Sequence, residues 1–287
     1  MPTTPTVFRG TEAIANGAVT ATQLRSRRFV RLFRNTYATR TAPLTHELHC
    51  RAVALFAPPD SVITDASAAT LRGVPLAGPE NPVDLLVSPA RRISAVDGLV
   101  VRVARTTEAE STPWHGIRLA KPERLIYDML RSSQLPDAVA GADACLRAGL
   151  TTLDALNRYL DSRHDHGIRQ ARRARDFIDP RSTSVPESRL RVLLNLEGLH
   201  PTPQLTILDG EHFVATVALG FEHERVAVVL SDADPGLDET RHLLNRLTMA
   251  GWQAILVSPT AVHTTPHDAL AKIHYALRRT TPTRHHP

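Results

Sequence analysis

Cysteine, aromatic residues and long apolar runs are all scarce in this chain of 287 residues, and each shortage excludes a class of protein. The two cysteines, Cys50 and Cys145, lie far apart without a metal-type spacing, so we expect no disulfide framework. Aromatic residues make up 5% of the chain, which disfavours a platform for stacking single-stranded bases. The aliphatic run from Val226 to Leu230 has the length of a buried strand and cannot span a bilayer. The N-terminus lacks a basic stretch followed by an apolar run, so we expect no signal peptide and a cytoplasmic location without membrane contact.

Lysine is also scarce, since of 34 basic residues only Lys121 and Lys272 are lysine. A GC-rich genome, which favours arginine codons, explains this bias as readily as a function does. The distribution of charge is more informative: residues 1–56 hold eight arginines against Glu12 and Glu47, whereas residues 206–250 hold eight acids against three arginines. This asymmetry indicates that the N-terminal end meets a polyanion. Arginine suits such a partner because its guanidinium donates two parallel hydrogen bonds to phosphates and guanine edges.

The N-terminal residues predict two short helices followed by a β-hairpin. The first helix ends at Gly17, and the capping-box spacing of Thr20 and Gln23 opens a second helix that runs to about Ser26. Residues 29–37 alternate in the manner of strands around a turn at Arg34 and Asn35. This order is typical of a winged helix-turn-helix, so residues 1–58 are predicted to form a winged-helix-like DNA-binding module. The sixteen consecutive residues from 25 to 40 contain no acid but six arginines, at positions 25, 27, 28, 31, 34 and 40.

The rest of the chain predicts two further segments and an α/β fold class, α+β overall. Residues 59–180 form an α+β middle segment with strands at 83–87 and 99–103 followed by helices, of which 167–178 is basic and best interpreted as a solvated face. The Pro- and hydroxyl-rich stretch 179–184 marks a boundary. Residues 181–280 then predict the order αβββαβα, which opens with a capping box at Ser184 and Glu187. Residues 281–287 are expected to be a disordered tail.

Several short segments resemble a large actinobacterial group of proteins. The N-terminal half is similar to the AbiEi antitoxins of type IV toxin–antitoxin systems, on the segments 8–15, 37–38 and 64–73. The C-terminal half is similar to very-short-patch-repair endonucleases, on the segments 184–194, 198–199, 203–204 and 250–252. The resemblance implies a restriction-endonuclease-like fold for residues 181–280. It also implies double-stranded DNA as a partner, with a nucleotidyltransferase-type toxin as a possible second one.

The acids that bind the catalytic metal in such endonucleases are largely missing here. The resemblance puts Ala218 in the place of the first Asp, Val229 in the place of the Glu and Ser231 in the place of the following Asp; the next Gly place is Asp232, and the His place falls on or near Pro235. Aliphatic side chains cannot bind a hard cation, and only the vestigial Glu187 survives. We therefore expect no catalytic residue and no cofactor. An alternative is a relocated Mg²⁺ site on Asp232 and Asp234, although an acidic turn before Pro235 explains these residues better.

Other catalytic and metal signals are weak. The fourteen histidines have no cysteine beside them and match no closed zinc site, so we interpret them as surface residues and expect no metal. No Gly-x-Ser-x-Gly elbow indicates a Ser/His/Asp hydrolase.

The sequence thus predicts a non-catalytic DNA-binding protein, a transcriptional regulator or an antitoxin-like protein. Thr22, Gln23 and Arg25 of the second helix would approach bases, and the phosphate contacts would come from Arg27, Arg28, Arg31 and Arg34. A basic structural module without sequence preference is an alternative reading of the same residues. A metal-dependent endonuclease with relocated ligands and a toxin-neutralising subunit remain alternatives for the whole chain.

Overall fold

The computed structural model describes residues 6–91, 96–132, 134–232 and 238–280; the expected tail at 281–287 lies outside this range. The described residues contain both helices and strands, and the strands form three separate sheets, which confirms the α+β fold class. The chain divides into two compact units, residues 1–129 with 153–159 and residues 130–152 with 160–287. Within the described ranges, no helix combines the length and the apolar character needed to cross a membrane.

The first unit begins with a small sheet that carries two helices. Strand β1 (Val7–Arg9) is followed by helices α1 (Gly10–Ala15) and α2 (Ala21–Leu24), and then by the hairpin of β2 (Phe29–Phe33) and β3 (Thr36–Thr39). The strand order is β1-β3-β2, antiparallel throughout. The two helices and the hairpin follow the predicted order, but β1 was not predicted, because three residues are too few for a strand pattern. Helix α2 also ends before Ser26, whose hydroxyl bonds back to the carbonyl of Gln23.

The remainder of the first unit is built on a mixed five-stranded sheet of order β6-β5-β4-β8-β7. Its strands are β4 (Val62–Ile63), β5 (Val83–Val87), β6 (Leu99–Val103), β7 (Ser111–Trp114) and β8 (Ile117–Ala120). The sequence reading missed the β7–β8 hairpin. Pro113 weakens the strand signal of β7, and an edge strand tolerates that proline. His115 and Gly116 form the tight turn with positive φ angles of 43° and 85°. The helices near this sheet are α3 (His46–Ala54), α4 (Asp65–Leu71), α5 (Pro122–Ser132) and α7 (Leu153–Asp161).

The second unit contains a four-stranded sheet of order β12-β11-β10-β9, in which only β11 and β12 are parallel. Helices α6 (Leu135–Arg147) and α8 (Ile168–Arg175) precede the core run of α9 (Val185–Leu196), β9 (Thr202–Asp209), β10 (His212–Phe221), β11 (Val226–Leu230), α10 (Asp238–Met249), β12 (Gln253–Val257), α11 (Pro259–Thr264) and α12 (Pro266–Thr280). The predicted order αβββαβα lacked α11. This helix forms because the Ser258 hydroxyl accepts from the Ala261 amide and Pro259 suits a first helical position.

Strand β11 separates two apolar clusters in this unit. Val226 and Val228 pack with helices α9 and α12, whereas Ala227 and Val229 pack on the side of α10 around Leu247. A strand buried on both faces has a continuous apolar sequence rather than an alternating one. This burial explains why the sequence from 226 to 230 carries no polar residue.

Gly220 is required where β9 and β10 pack closely, and this requirement gives a test of the fold. A Cβ at this position would lie 2.2 Å from Cδ2 of Leu205. We expect Gly220→Ala to lower the free energy of unfolding by about 1–3 kcal/mol through overpacking, measured by urea denaturation. Leu205→Ala should reduce this penalty in the double variant, because the clashing methyl groups are gone. Gly78→Ala is the control: its nearest neighbour would be 3.6 Å away, so its effect should stay within about 0.5 kcal/mol.

Candidate nucleic-acid interface

A single asparagine ties the arginine-rich hairpin to the helix in front of it. Asn35, in the two-residue turn between β2 and β3, has a positive φ of 58°, a conformation that asparagine tolerates better than most residues. Its backbone carbonyl accepts from the Gly10 amide at 2.9 Å. Its side-chain Oδ1 accepts from the Thr11 amide at 3.0 Å, and its Nδ2 donates to the Thr11 hydroxyl at 2.9 Å. The turn of the hairpin is therefore held at the start of α1.

A β-bulge lets the two phenylalanines of β2 pack in different places. The register between β2 and β3 shifts between Arg31 and Phe33. Phe29 packs edge-on against Phe8 beneath α1 and α2, with ring centroids 5.5 Å apart, whereas Phe33 packs on Phe56 after α3. An extra residue in one strand of a pair bends and twists that strand. The bulge thus anchors the hairpin at both of its faces.

All seven residues that the sequence predicted for DNA contact are exposed on this module. Four of them, Arg27, Arg28, Arg31 and Arg34, fall into two groups along the hairpin. At its base, the Arg40 amide donates to the Arg28 carbonyl and Nε of Arg40 donates to the Arg27 carbonyl at 2.8 Å, so three arginines meet there. At its tip, Nε of Arg31 donates to the carbonyl of Phe33 at 3.3 Å, beside Arg34 in the turn. The structure thus adds Arg40 to the predicted set.

The acids of this module are already paired with other arginines. Glu12 pairs with Arg9 at 3.4 Å and Glu47 pairs with Arg51 at 2.6 Å. As far as the described ranges show, none of the six clustered arginines has a carboxylate within 4.0 Å, at positions 25, 27, 28, 31, 34 and 40. Like charges held together without counter-charge repel one another and create a positive surface potential. A polyanion would relieve that repulsion.

Gln23, one of the residues predicted to approach bases, also caps helix α2. The predicted capping box is present: Oε1 of Gln23 accepts from the Thr20 amide at 2.8 Å, and the Gln23 amide donates to the Thr20 hydroxyl at 3.2 Å. The carbonyl oxygen of the Gln23 side chain is therefore committed to holding the helix. Thr22 and Arg25 are exposed and make no comparable contact in the described part of the chain.

The second basic cluster, on α8, is partly structural. Nη2 of Arg172 donates to three backbone carbonyls at the end of α7, and Arg175 pairs with Asp161 at 2.8 Å. Arg169 and Arg173 are exposed. Two of the four arginines in this cluster, Arg172 and Arg175, therefore bind the end of α7. This agrees with the interpretation of α8 as a helix face and not as a binding site.

Three neighbouring residues form a row across the sheet of the second unit, and two of them, Ala218 and Val229, stand at positions that the resemblance assigns to metal ligands. The pairing of β9 with β10 brings Gln204 level with Ala218. One step past the last pair of β10 and β11, Ala218 in turn comes level with Val229. Ala218 is half-buried and Val229 is buried in the apolar cluster on the α10 side. The row is assembled, but its side chains on β10 and β11 offer no oxygen to a cation.

Glu187 is bonded on both carboxylate oxygens. One oxygen accepts from the Thr183 amide at 2.7 Å and from Nε2 of Gln204 at 2.9 Å, and the other accepts from the Thr183 hydroxyl at 2.8 Å. The predicted capping box is only half present: the Ser184 hydroxyl accepts from the Glu187 amide, but the Glu187 carboxylate bonds Thr183 instead of Ser184. Gln204 has a positive φ of 52°, which turns its side chain to this carboxylate. These contacts give Glu187 a structural role.

Of the two acids in the alternative metal site, Asp232 and Asp234, only Asp232 lies among the described residues. Asp232 follows β11 and accepts from the hydroxyl groups of Ser258 and Thr260, the latter at 3.3 Å, so it secures the start of α11. Asp234 and Pro235 lie outside the described residues. Among the residues that are described, no three His, Cys, Asp or Glu side chains are close enough together to hold a metal ion.

The structure also brings together a serine, a histidine and an aspartate that the sequence reading did not connect. The Ser67 hydroxyl lies 2.8 Å from Nε2 of His46 and 3.3 Å from Asp84. This set does not have the order of a hydrolytic triad, because Nδ1 of His46 faces the Gly78 carbonyl at 3.0 Å instead of a carboxylate. Ser67 is also fully buried, so no substrate can reach it. We interpret the cluster as a polar core that joins α3, α4 and β5.

Arg102 completes this polar core by bridging two carboxylates. Its Nη2 lies 2.6 Å from Asp65 and 3.1 Å from Asp84. Burial, and after it the charge of Asp65, raises the pKa of Asp84 to about 7. Below about pH 7, burial therefore favours the protonated form of Asp84. Asp65 begins α4 with a positive φ of 55°, a conformation that its bond to Arg102 helps to hold.

Comparisons with known proteins add little to these contacts. No family model matches the chain, and no curated protein matches it. Among solved structures, the chain is similar to the crystal structure of the RV2827C protein from Mycobacterium tuberculosis, with 18% sequence identity and a TM-score of 0.41. That match covers 60% of this chain and 72% of that chain.

The raised pKa of Asp84 predicts a specific dependence of stability on pH. Because the pKa of Asp84 is about 7 in the folded protein and about 4 in an unfolded chain, the folded state binds this proton more tightly. The stability that it contributes is full below about pH 4 and is lost as the pH rises through about 7. We expect Asp84→Asn to flatten the pH profile of the unfolding free energy in this window, measured by urea denaturation. Parallel profiles for the variant and the wild type would show that Asp84 is ionised in the folded protein.

Proposed function

We propose that this protein is a non-catalytic regulator that binds double-stranded DNA in the cytoplasm through its N-terminal module. The observation that carries the proposal is a set of six exposed arginines on one small helix–helix–hairpin unit, none of which has an acidic partner among the described residues. Two helices followed by a hairpin, on a sheet of order β1-β3-β2, match the layout of a winged helix. The resemblance to AbiEi antitoxins supports a role in transcriptional regulation or in an antitoxin-like system.

The contacts would divide between bases and backbone. Thr22, Gln23 and Arg25, exposed on and just after α2, would approach base edges, and Gln23 also supports the helix through its cap. The base of the hairpin gathers Arg27, Arg28 and Arg40, which would hold phosphates. Phosphate contacts fix the position of a protein on the duplex, and base contacts supply the sequence preference.

Replacement of two arginines tests the proposal. We expect Arg25→Ala combined with Arg28→Ala to abolish the mobility shift of duplex DNA while leaving the circular dichroism unchanged, because neither side chain is hydrogen-bonded to another described residue. For the wild type, five or six neutralised phosphates predict that the logarithm of affinity falls with the logarithm of salt concentration at a slope of roughly −4 to −5.

The matched control removes the same charge elsewhere. Arg169→Ala combined with Arg173→Ala takes two exposed arginines from α8, so it should leave DNA affinity nearly unchanged. Equal losses in both double variants would indicate a general charge effect and not a binding surface. Unchanged binding in Arg25→Ala with Arg28→Ala would show that the module is misassigned.

Cleavage of DNA has less support from the contacts. Ala218 and Val229 supply no ligand, Glu187 is bonded on both oxygens, and Asp232 holds the start of α11. We expect no nicking of a supercoiled plasmid with Mg²⁺ or Mn²⁺. Nicking that disappears in Asp232→Ala or Asp234→Ala, but persists in Glu222→Ala, would establish the alternative of relocated ligands.

A further inference from the structure

A cavity beside α5 and α7 has no role in the proposed DNA contacts. Its volume is about 330 Å³, which lies within the range of small-molecule pockets. It is lined by the 3₁₀ turn Glu108–Glu110, by the start of α5 and by residues 155–159 of α7. All of the lining residues belong to the first unit, so the cavity is a property of one compact body.

Two cations on the wall of this cavity lack a counter-charge. Lys121 precedes Pro122, the first residue of α5, and Arg158 lies on α7. Among the described residues, neither the ammonium of Lys121 nor the guanidinium of Arg158 has a hydrogen-bond or ion-pair partner. Lys121 also stands at the N-terminal end of α5, where the helix dipole favours a negative charge. An anion in the cavity would thus meet positive charge from two helices.

The two glutamates of the cavity are engaged with other groups. Oε1 of Glu110 accepts from the Tyr159 hydroxyl at 2.6 Å and lies 3.3 Å from Nη1 of the buried Arg124. Its Oε2 accepts from the amide that caps the 3₁₀ turn at 2.9 Å. Burial lowers the pKa of Arg72 and the charge of Glu123 opposes this shift, so Glu123 lies near Arg72. Neither glutamate therefore neutralises the two free cations.

The rest of the wall is apolar and partly aromatic. Ala109, Ala155 and the ring of Tyr159 line the cavity. The ring is held by its hydroxyl bond to Glu110 and by an edge-on contact with Tyr127, with ring centroids 6.1 Å apart. A fixed ring beside two small side chains leaves space for a flat apolar group. The cavity therefore combines an apolar surface with a cationic rim.

We propose that this cavity binds a small organic anion, a carboxylate or a phosphate attached to a flat apolar body. Lys121 and Arg158 would hold the anionic group, since guanidinium and ammonium groups form charge-assisted hydrogen bonds with both. The flat body would lie against Tyr159. The inference does not rest on the proposed function, because none of the hairpin arginines lines the cavity.

Three ligands that share one ring test the sign of the charge and the type of head group. They are benzoate, phenyl phosphate and benzamidinium, titrated into the full chain by isothermal calorimetry, with the melting temperature as a second readout. We expect benzoate or phenyl phosphate to bind with an affinity of about 1 mM, as suits probes of this size, and to raise the melting temperature. The stronger of the two identifies the head group. Benzamidinium, the cation of the same shape, should do neither, and equal effects of all three ligands, or none from any, would overturn the proposal.

A double substitution locates the anion. Lys121→Ala combined with Arg158→Ala removes both free cations and should weaken binding of the better probe by about tenfold or more. Arg25→Ala combined with Arg28→Ala is the matched control, since it removes two cations from the N-terminal module and should leave this affinity unchanged. Full affinity in the first double variant, or equal losses in both, would overturn the assignment to the cavity.

A third variant fills the cavity without changing its charge. Ala155→Leu places a larger side chain beside Tyr159 and should abolish binding of the same probe while the circular dichroism stays that of the wild type. Binding as tight as in the wild type would show that the probe lies elsewhere. A protein that binds benzoate but no duplex DNA would refute the proposed function and keep this inference, whereas the converse result would refute this inference alone.

Discussion

The positive φ of Asn35 is the constraint on which the proposed interface depends. Only because this residue adopts the left-handed region can two residues close the hairpin and turn the asparagine amide towards α1. Three hydrogen bonds then join hairpin and helix, each worth about 0.5–1.5 kcal/mol. Gly10 makes the contact possible, since a Cβ there would lie 2.8 Å from the ring of Tyr37. The hydrogen bonds between Asn35 and the start of α1, which involve no charged group, therefore fix the position of the arginine-rich hairpin.

Ion pairing differs between the buried and the exposed arginines. The acids near the proposed interface, Glu12 and Glu47, are paired with Arg9 and Arg51, and among the described residues the hairpin arginines have no carboxylate within reach. The buried Arg191, in contrast, pairs with Asp143 at 2.8 Å, and its Nη1 bonds the Phe177 carbonyl. Buried charges are stable only when they are paired and hydrogen-bonded, whereas exposed unpaired cations remain available to a partner.

The row of Gln204, Ala218 and Val229 is held by contacts within the fold. Gln204 lies beside Ala218 and donates to Glu187. Val229 joins the apolar cluster around Leu247. Glu187 and Val229 therefore have hydrogen-bonding and packing roles of their own, which is consistent with a structural role for this sheet.

The sequence by itself determined the α+β class, most helix positions, strands β5 and β6 and the turn at Arg34 and Asn35, because periodicity, caps and turn residues are local signals. It also shows where the arginines are concentrated, and that aliphatic residues stand at positions that the resemblance assigns to metal ligands. Tertiary structure alone decided the rest: strands β1, β7 and β8 are too short to signal themselves, and the pairing of Glu12 and Glu47 depends on side-chain geometry. The bond between Asn35 and Thr11, the role of Gln204 and the raised pKa of Asp84 arise from contacts between residues 17 or more positions apart. No local pattern encodes which distant groups meet, so these features could only be read from the folded chain.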